Sequence, residues 1–382
     1  MLLQSIKLKN LLSFRDAELE LLGLNVLIGP NASGKSNLLA AIGLLKAAPE
    51  NLEAAVQRGG GLRQWIHRAS QPGGVAGIEA GIDLGRGDGA LAYSLTFTED
   101  DLRLYLREEL KSCNTGETFF SRNGQHAKIY RSPRDSAVGI EIGIELEVNK
   151  SVFAAFRDPL DRTPITRTGQ ALGAIEIFRE FNTGPSSTAR NGVAVGSQKF
   201  LFDGGGNLAL VLQELDFRVT LARLNEYLTR FWQDAEAVRI RIDGGIVQTY
   251  VKERGIEEPI PAIRLSDGTL KFLCLMAILL HPAPPALICM EEPELGLHPD
   301  ALTIVADALR EAAGKSQLIV TTHSEALVNA LSDEPESVVV CERGVDGGTE
   351  FQRLNASALA EWMAEYRLGE LWRKGEIGGN RW

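Results

Sequence analysis

The chain has 382 residues, of which 44% are hydrophobic and 24% are charged, and its formal net charge is −10. This composition is that of an ordinary globular protein, and the length suits one large domain with an insertion, or two lobes. The acidic balance argues against a protein that coats nucleic acid non-specifically, although it is compatible with a local basic patch.

Two short strands are predicted at the start of the chain, over residues 3–9 and 17–21, and a buried apolar strand follows at 24–28. The next eight residues read Gly-Pro-Asn-Ala-Ser-Gly-Lys-Ser and fit the phosphate-loop pattern G-x-x-x-x-G-K-S/T at every fixed position. Apolar residues then recur at helical spacing from residue 37. Strand, glycine loop and helix are the context that a phosphate loop requires, whereas a glycine-rich turn with a chance match is the alternative.

The chemistry of this loop follows from its residue types. Gly29 and Gly34 allow the backbone to curl, so that successive N–H groups point inward, and the helix that starts near Lys35 adds the partial positive charge of its N-terminus. Lys35 would reach the β- and γ-phosphates, and the Ser36 hydroxyl would bind Mg²⁺. The expected nucleotide-binding residues are Gly29, Pro30, Asn31, Ala32, Ser33, Gly34, Lys35, Ser36 and Asn37.

The middle of the chain changes character twice. Apolar and polar residues alternate over 76–147 in runs separated by turn residues, which predicts antiparallel hairpins. Residues 150–235 are mostly helical by pattern, with a segment at 182–197 that is rich in Gly, Ser, Thr and Pro and is interpreted as a mobile surface loop. No heptad pattern is sustained, so no long coiled-coil arm is expected.

The last third of the chain begins with a predicted hairpin over 237–251, around an Asp-Gly-Gly turn. From residue 263 the pattern becomes α/β. The predicted elements are helix 269–280, strand 286–290, helix 299–313, strand 317–321, helix 324–331 and strand 337–341.

Paired carboxylates end the first of these late strands. Glu291 and Glu292 follow an apolar strand, and the carboxyl ends of such strands are where α/β sheets place their active sites. Glu291 would hold Mg²⁺ or one of its waters, and Glu292 would orient, or take a proton from, the water that attacks the γ-phosphate. A solvated acidic turn that opens the next helix is the alternative.

Two further sites are less specific. His323 follows the next strand and would contact the γ-phosphate or the attacking water, although a structural histidine before a helix capped by Ser324 fits the pattern too. Ser266 and Gly268 begin a helix whose free N–H groups would bind an anion, and a simple helix cap is an equally good local interpretation.

The order of these motifs resembles the ABC-type ATPase head, and within it the branch of structural-maintenance and RecF-like ATPases. The resemblance covers most of the chain, and residues 110–200 are its least similar part. Asp267 stands where transporters usually have Gly, and Glu291 replaces the Asp common in transporter heads, as the RecF-like ATPases allow. The runs 207–212, 265–280 and 368–382 look like the stand-alone RecF-like predicted ATPases of bacteria.

This resemblance implies an α/β fold of the P-loop NTPase class, with a mainly parallel core sheet, an antiparallel β subdomain and a helical insertion lobe. We expect residues 1–149 to form the N-terminal half of the head, 150–235 the helical lobe and 236–382 the C-terminal half. In this family the Ser-x-Gly element is a signature motif that completes the ATP site of the partner subunit. The glutamine that contacts Mg²⁺ in related heads is matched by position alone, by Gln57 or Gln64, and a surface polar residue is the alternative for each.

The expected function is Mg²⁺-dependent ATP binding and hydrolysis that drives dimerisation of two heads, acting on DNA in repair or genome maintenance. The alternative is the ATPase sensor of a phage-defence or toxin-like module that controls a partner nuclease. The nuclease would be a separate chain, because no nuclease or topoisomerase-primase domain is recognisable after residue 342. A transporter energy subunit is a third possibility, and the hairpins at 76–147 and Asp267 count against it.

The cysteines and the lengths of the apolar runs indicate the cellular compartment in which the protein is expected. The four cysteines form no C-x-x-C pair, which is typical of small buried hydrophobes in a reducing compartment. The N-terminus lacks the pattern of a secretory signal, and no apolar run reaches the length of a membrane-spanning helix. We therefore expect a cytoplasmic protein with ATP, a second copy of itself, DNA and a separate effector protein as candidate partners, and no membrane.

Overall fold

The protein is described by a computed structural model that covers residues 1–68, 74–85, 89–100, 103–131, 140–156, 163–218 and 221–379. Its strands are β1 (Leu3–Leu11), β2 (Phe14–Glu20), β3 (Leu24–Ile28), β4 (Ala76–Asp83), β5 (Ala90–Asp100), β6 (Arg103–Ser112), β7 (Thr118–Asn123), β8 (His126–Arg131), β9 (Ile140–Glu145), β10 (Glu176–Phe178), β11 (Val193–Ala194), β12 (Ala235–Asp243), β13 (Ile246–Glu253), β14 (Ile260–Pro261), β15 (Leu287–Glu291), β16 (Gln317–Thr321), β17 (Val338–Arg343) and β18 (Thr349–Arg353). Its α-helices are α1 (Lys35–Ala47), α2 (Leu52–Arg58), α3 (Leu62–Trp65), α4 (Val152–Ala155), α5 (Pro164–Gly173), α6 (Leu208–Phe217), α7 (Leu221–Phe231), α8 (Asp267–Leu279), α9 (Leu302–Ala313), α10 (Glu325–Ala330), α11 (Ala356–Met363) and α12 (Leu368–Lys374).

A six-stranded sheet forms the centre of the fold, in the order β10-β15-β16-β3-β17-β18. Neighbouring strands are parallel except for the last pair, β17 and β18, which is antiparallel. Ile28, Ile288 and Ile319 therefore lie on three adjacent parallel strands, as the sequence predicted. Because parallel strands run in one direction, the residues that follow β3, β15 and β16 lie at the same edge of the sheet.

Two hydrophobic cores cover the two faces of this sheet. Val26 on β3 packs into the core that contains α8 and α9, whereas the next residue, Leu27, packs into the core that contains α1 and much of the antiparallel sheet. Since both faces are buried, consecutive positions of each strand are apolar, which is the pattern of a buried parallel strand. The sheet edge that carries the polar motifs is thus fixed from both sides.

An eight-stranded antiparallel sheet, in the order β2-β1-β4-β5-β6-β7-β8-β9, confirms the hairpins predicted over 76–147. One boundary differs, because β2 begins at Phe14 and not at residue 17. The β1–β2 pair closes at Leu11 and Phe14, and Leu12 in the turn has a φ of 52°. Two consecutive exposed residues, Arg15 and Asp16, interrupt the alternation that would have marked this strand in the sequence.

A small sheet contains the predicted hairpin, formed by β12 and β13. Gly244 and Gly245 form its turn with φ values of 55° and 80°. Two positive values suit the tight turn that matches the twist of a hairpin, and glycine reaches them without strain.

The helical pattern over 150–235 is right for α5, α6 and α7. It is wrong for 174–181 and 198–207, the residues on either side of the segment 182–197 that was predicted as a loop. Residues 174–207 contain the strands β10 and β11 and a 3₁₀ turn at Thr188–Arg190. β10 extends the central sheet beside β15, and with three residues it is too short to show a period of its own. The division of the chain into 1–149, 150–235 and 236–382 stays a prediction.

None of the helices in the described ranges combines the length and the apolar character that a membrane span requires.

Candidate functional site

The polar motifs meet at the carboxyl edge of the central sheet. Glu291 at the end of β15 is in register with Thr321 on β16, and Thr321 is in register with Leu27 on β3. The glycine loop after β3 and His323 after β16 therefore lie beside Glu291 and Glu292. This convergence comes from segments that are far apart in the sequence.

The loop between β3 and α1 requires glycine at both of its ends. Gly29 has a φ of 148°, and a Cβ atom there would lie 2.2 Å from the carbonyl oxygen of Cys341. Gly34 has a φ of 107°, and its Cβ would lie 2.4 Å from Thr349 Oγ1. No side chain fits at such distances, so these glycines allow a curled backbone at the N-terminus of α1, of the kind that can bind an anion.

Two polar groups of the loop suit a phosphate. The Ser33 hydroxyl is buried and has no hydrogen-bond partner among the described residues. Lys35 is 5% exposed, and its Nζ donates hydrogen bonds to the carbonyl oxygens of Gly29 and Pro30, at 2.8 and 3.1 Å. Burial lowers the pKa of Lys35, and the nearby carboxylates of Glu291 and Glu292 oppose that shift. The ammonium is thus bonded to the carbonyl oxygens of the loop and feels the charges of the paired carboxylates.

A hydroxyl and a carboxylate meet at the start of α1. Ser36 Oγ donates a hydrogen bond to Glu291 Oε1. The other carboxylate oxygen, Oε2, lies 4.0 Å from Arg179 Nε. Hydroxyl and carboxylate oxygens are the ligands that Mg²⁺ prefers, so the donor set fits the metal that the sequence predicted here.

Glu292 adopts a conformation that few residues other than glycine adopt, with a φ of 45°. Its backbone N–H donates to the carbonyl oxygen of Thr321 at 3.0 Å, which ties the turn to the neighbouring strand. Its side-chain Oε1 lies 3.6 Å from Nε2 of His323. This distance is too long for a direct hydrogen bond, and both groups are placed to contact one small molecule such as water.

The charge of His323 follows from its surroundings. Burial, and next the ammonium of Lys35, lower the pKa of His323, while Glu292 and Glu294 raise it. The net shift is downward from 6.5, so the imidazole is neutral at pH 7. A neutral imidazole can accept a hydrogen bond from water or donate one to a phosphate oxygen.

Glu294 plays a part that the sequence did not show. Its Oε1 accepts hydrogen bonds from Thr322 Oγ1 at 2.6 Å and from the backbone N–H of His323 at 2.9 Å. Glu294 is 8% exposed, and its Oε2 has no partner among the described residues. The side chain therefore fixes the backbone that carries His323. The only sequence feature that pointed to Glu294 was its position in the Glu-Glu-Pro-Glu run, two residues after Glu292.

The Ser-x-Gly element caps α8. Ser266 Oγ accepts a hydrogen bond from the backbone N–H of Thr269 at 3.1 Å, as an N-cap residue does. Gly268 packs closely on the segment that follows Glu294, because a Cβ on it would lie 3.1 Å from the carbonyl oxygen of Gly296. The signature element and the acidic motif are thus neighbours within one chain.

Asp267, which departs from the transporter pattern, has a partner that the sequence did not reveal. Arg190 Nη2 donates a hydrogen bond to its carboxylate, and Nη1 donates to the carbonyl oxygen of Leu265 at 2.6 Å. The Arg190 side chain is 8% exposed. The segment 182–197, interpreted from its composition as a mobile surface loop, is anchored to the signature element by this side chain.

The two glutamines matched by position alone stay predictions. Gln57 on α2 and Gln64 on α3 are both exposed. The residues that brace the loop are different ones. Thr349 Oγ1 donates to the Ser33 carbonyl oxygen at 2.8 Å and contacts Ser13 Oγ at 2.8 Å.

Comparison with known proteins agrees with this geometry. A family model described as "AAA domain, putative AbiEii toxin, Type IV TA system" matches residues 24–329, which span the glycine loop, the acidic strand end and His323. A comparison with curated proteins finds no match.

Solved structures of similar fold include two SMC head domains. The first, "Crystal structure of the SmcHead bound to the C-winged helix domain of ScpA", has a TM-score of 0.59 at 13% identity, covering 94% of this chain and 99% of that one. The second, the Smc head domain with an extended coiled coil bound to the C-terminal domain of ScpA, derived from Pyrococcus furiosus, has a TM-score of 0.52 at 12% identity, covering 95% and 99%.

At such identities the structural likeness shows the fold, while the family model covers most of the chain and carries the assignment. The expectation of the fold of an ABC-type, SMC-like ATPase head is confirmed. The chain belongs to this AAA-domain family and is an ATPase with the fold of an SMC head.

Proposed function

We propose that the chain binds Mg-ATP at the loop Gly29–Ser36, hydrolyses it with Glu292, and uses ATP to bring two heads together. The observation that carries the proposal is the meeting of this loop, the paired carboxylates and His323 at the ends of three adjacent parallel strands. Ligand sites of open α/β sheets lie at this edge.

Each residue has a role that its contacts support. The loop amides and the N-terminus of α1 would bind the phosphates, and Lys35 would exchange its loop carbonyls for β- and γ-phosphate oxygens. Ser36 and Glu291 would hold Mg²⁺, which neutralises charge that develops on the phosphates.

Glu292 would orient the attacking water and accept its proton. The neutral His323, held beside Glu292 by Glu294, would contact the same water or the γ-phosphate. Glu294 has the supporting role, because its Oε1 accepts the hydrogen bonds of Thr322 Oγ1 and of the His323 backbone N–H.

Dimerisation is supported by the signature element. Among the described residues, Ser266 forms its hydrogen bonds with Thr269 and Leu270 in the first turn of α8, and this helix N-terminus would receive a phosphate bound by the second molecule. Apolar side chains flank it at the surface: Ile263 is 58% exposed and Leu295 is 57% exposed. A second head that placed its bound ATP here would cover these side chains, and a two-fold arrangement would create two identical sites.

For the biological role, we propose action on DNA in repair or genome maintenance. The SMC-head fold supports this role, and the net charge of −10 confines any DNA contact to a local surface. The second candidate is the ATPase subunit of a toxin-like or phage-defence module that controls a partner nuclease, and the family description, with its reference to an AbiEii toxin, favours it.

An ATPase assay with and without single- and double-stranded DNA separates the candidates. Turnover that rises with DNA supports the DNA role, and turnover indifferent to DNA, together with co-purification of a nuclease, supports the module. Lys35→Ala is the control, because it removes the cation of the loop. If Lys35→Ala binds ATP with unchanged affinity by calorimetry, the assignment of the loop is wrong.

A further inference from the structure

The end of the described chain packs against the start of the glycine loop. We call residues 368–379, which comprise α12 and the turn that follows it, the C-terminal segment. A Cβ built on Gly379 would lie 3.4 Å from Gly29 Cα and 3.1 Å from both Val340 Cγ1 and Trp372 Nε1. Gly379 also has a φ of 73°, so glycine brings the two backbones together without strain.

Both backbone polar groups of Gly379 are bonded to side chains. Its N–H donates to Glu342 Oε1 on β17, and its carbonyl oxygen accepts a hydrogen bond from Trp372 Nε1 at 3.2 Å. Trp372 is 7% exposed and belongs to the core on that side of the sheet. The position of Gly379 is thus fixed from two directions.

The other end of the C-terminal segment is attached to the helix that follows His323. The backbone N–H groups of Leu368 and Gly369 donate to Ser332 Oγ at 2.9 Å and to Asn329 Oδ1 at 2.8 Å. A Cβ on Gly369 would lie 2.4 Å from the carbonyl oxygen of Glu325, the first residue of α10. The segment therefore connects the element after His323 to the base of the glycine loop.

Gly29 is close to two other segments of the chain. A Cβ on Gly29 would lie 2.2 Å from the carbonyl oxygen of Cys341, and a Cβ on Gly379 would lie 3.4 Å from Gly29 Cα. We propose that the C-terminal segment positions the phosphate loop: it holds Gly29 in the conformation that directs the loop amides at the phosphates. The inference rests on the proposed role of the loop. Gly379, Glu342 and Trp372 act through Gly29, so they are positioning residues and not catalytic ones.

The direct test compares two glycine variants by calorimetric titration with Mg-ADP. Gly379→Ala places a methyl group 3.1 Å from Val340 Cγ1 and Trp372 Nε1, which is tighter than ordinary packing, so the turn that contacts Gly29 must shift. Gly255→Ala is the matched control. Gly255 has a φ of 76°, close to that of Gly379, and a Cβ on it would meet nothing within 4 Å. We expect Gly379→Ala to weaken Mg-ADP binding on the order of tenfold, equivalent to about 1.4 kcal/mol, because the loop amides next to Gly29 are moved away from the phosphates. Gly255→Ala should bind like the parent.

Glu342 supplies a second pair of variants, which is independent of backbone strain. Glu342→Gln retains an oxygen that accepts the Gly379 N–H, whereas Glu342→Leu does not. We expect Glu342→Leu to raise KM for ATP with kcat near that of the parent, and Glu342→Gln to restore KM. A merely structural contact would lower the melting temperature of Glu342→Leu and leave KM unchanged.

Including Lys35→Ala in the same titration distinguishes a failure of the loop assignment from a failure of the positioning role. If Lys35→Ala binds ADP normally, the proposed role of the loop itself fails. If Lys35→Ala loses binding while Gly379→Ala and Gly255→Ala bind alike, the loop assignment stands and the positioning role of the C-terminal segment is overturned.

Discussion

His323 Nε2 lies 3.6 Å from Glu292 Oε1, at the ends of two neighbouring strands. The pair joins the residue proposed to activate water with a histidine whose pKa is lowered by burial and by Lys35. The two carboxylates near His323 shift its pKa in the opposite direction. The titration of His323 therefore reports the charges of the whole site.

Replacing single charges should move this titration in opposite directions. Lys35→Ala should raise the pKa of His323, because it removes a nearby positive charge, and Glu292→Gln should lower it further. NMR titration of the histidine ring protons, assigned with His323→Gln, measures both shifts. A pKa that is the same in all variants would mean that the three side chains are not neighbours.

The same shift fixes the sign of one pH effect on stability. Because the folded state lowers the pKa of His323 below 6.5, protonation favours the unfolded chain. The contribution of this group is complete above pH 6.5 and is lost as the pH falls toward and through the lowered value. As the pH falls from 8 to 5, the parent should therefore lose free energy of unfolding relative to His323→Gln, as measured by chemical denaturation.

Glu294→Ala should slow hydrolysis through His323. The change leaves the Thr322 hydroxyl and the His323 N–H without their acceptor, which costs about 1–3 kcal/mol each for a buried group. We expect a lower kcat with little change in KM, and a lower free energy of unfolding by urea. Glu294→Gln, which keeps one acceptor oxygen, is the control. Parent-like turnover by Glu294→Ala would show that the site does not depend on this support.

The antiparallel sheet offers a prediction about stability that is independent of nucleotide. Arg122 and Glu108 form an ion pair at 3.0 Å with both side chains 0% exposed, and Arg122 also donates to backbone carbonyl oxygens, among them that of Gly124 at 2.7 Å. Removing one partner of such a pair costs about 3–5 kcal/mol because the other charge stays buried. Arg122→Met should lose this much in urea denaturation. A loss below about 1 kcal/mol, the range of surface pairs, would contradict the buried pair.

Ser266→Arg should separate ATP binding from dimerisation. The added cation would occupy the position proposed for the partner's γ-phosphate, while Lys35 of the same chain is untouched. In a Glu292→Gln background, where ATP persists, we expect a dimer with Mg-ATP by sedimentation velocity, since ATP that bridges two heads favours the dimer by linkage. Adding Ser266→Arg should leave ATP affinity unchanged and the protein monomeric. If the Glu292→Gln protein that retains Ser266 has the same sedimentation coefficient with and without Mg-ATP, the two-head mechanism is excluded.

The sequence predicted those parts of the site that are local. The glycine loop and the Glu291-Glu292 pair each lie within one short motif after a buried strand, so spacing alone was enough to propose them as site residues. The supporting contacts join distant positions: Thr349 and Ser33 are 316 residues apart, and Arg190 and Asp267 are 77 apart. No local pattern marks such a pair, because each residue alone fits a surface strand or loop.

The fold shows the same division. Continuous apolar runs predicted the buried parallel strands, and strict alternation predicted the antiparallel hairpins. β10 was missed because three residues show no period, and its place in the sheet depends on pairing with β15. The contact of Gly379 with Gly29 was not predictable either, since a pair of glycines in a sequence indicates a turn and not what the turn packs against.

The central claim is that Glu292, beside the glycine loop, activates the water that attacks ATP. Single-turnover hydrolysis of pre-bound Mg-ATP by Glu292→Gln tests it most directly, because it separates chemistry from binding and release. The amide keeps the shape of the side chain and cannot accept the proton. We predict unchanged ATP affinity and a hydrolysis rate lower by about 10²–10⁴, the usual contribution of a general base. Hydrolysis at the parent rate would contradict the account and would assign the base to another residue.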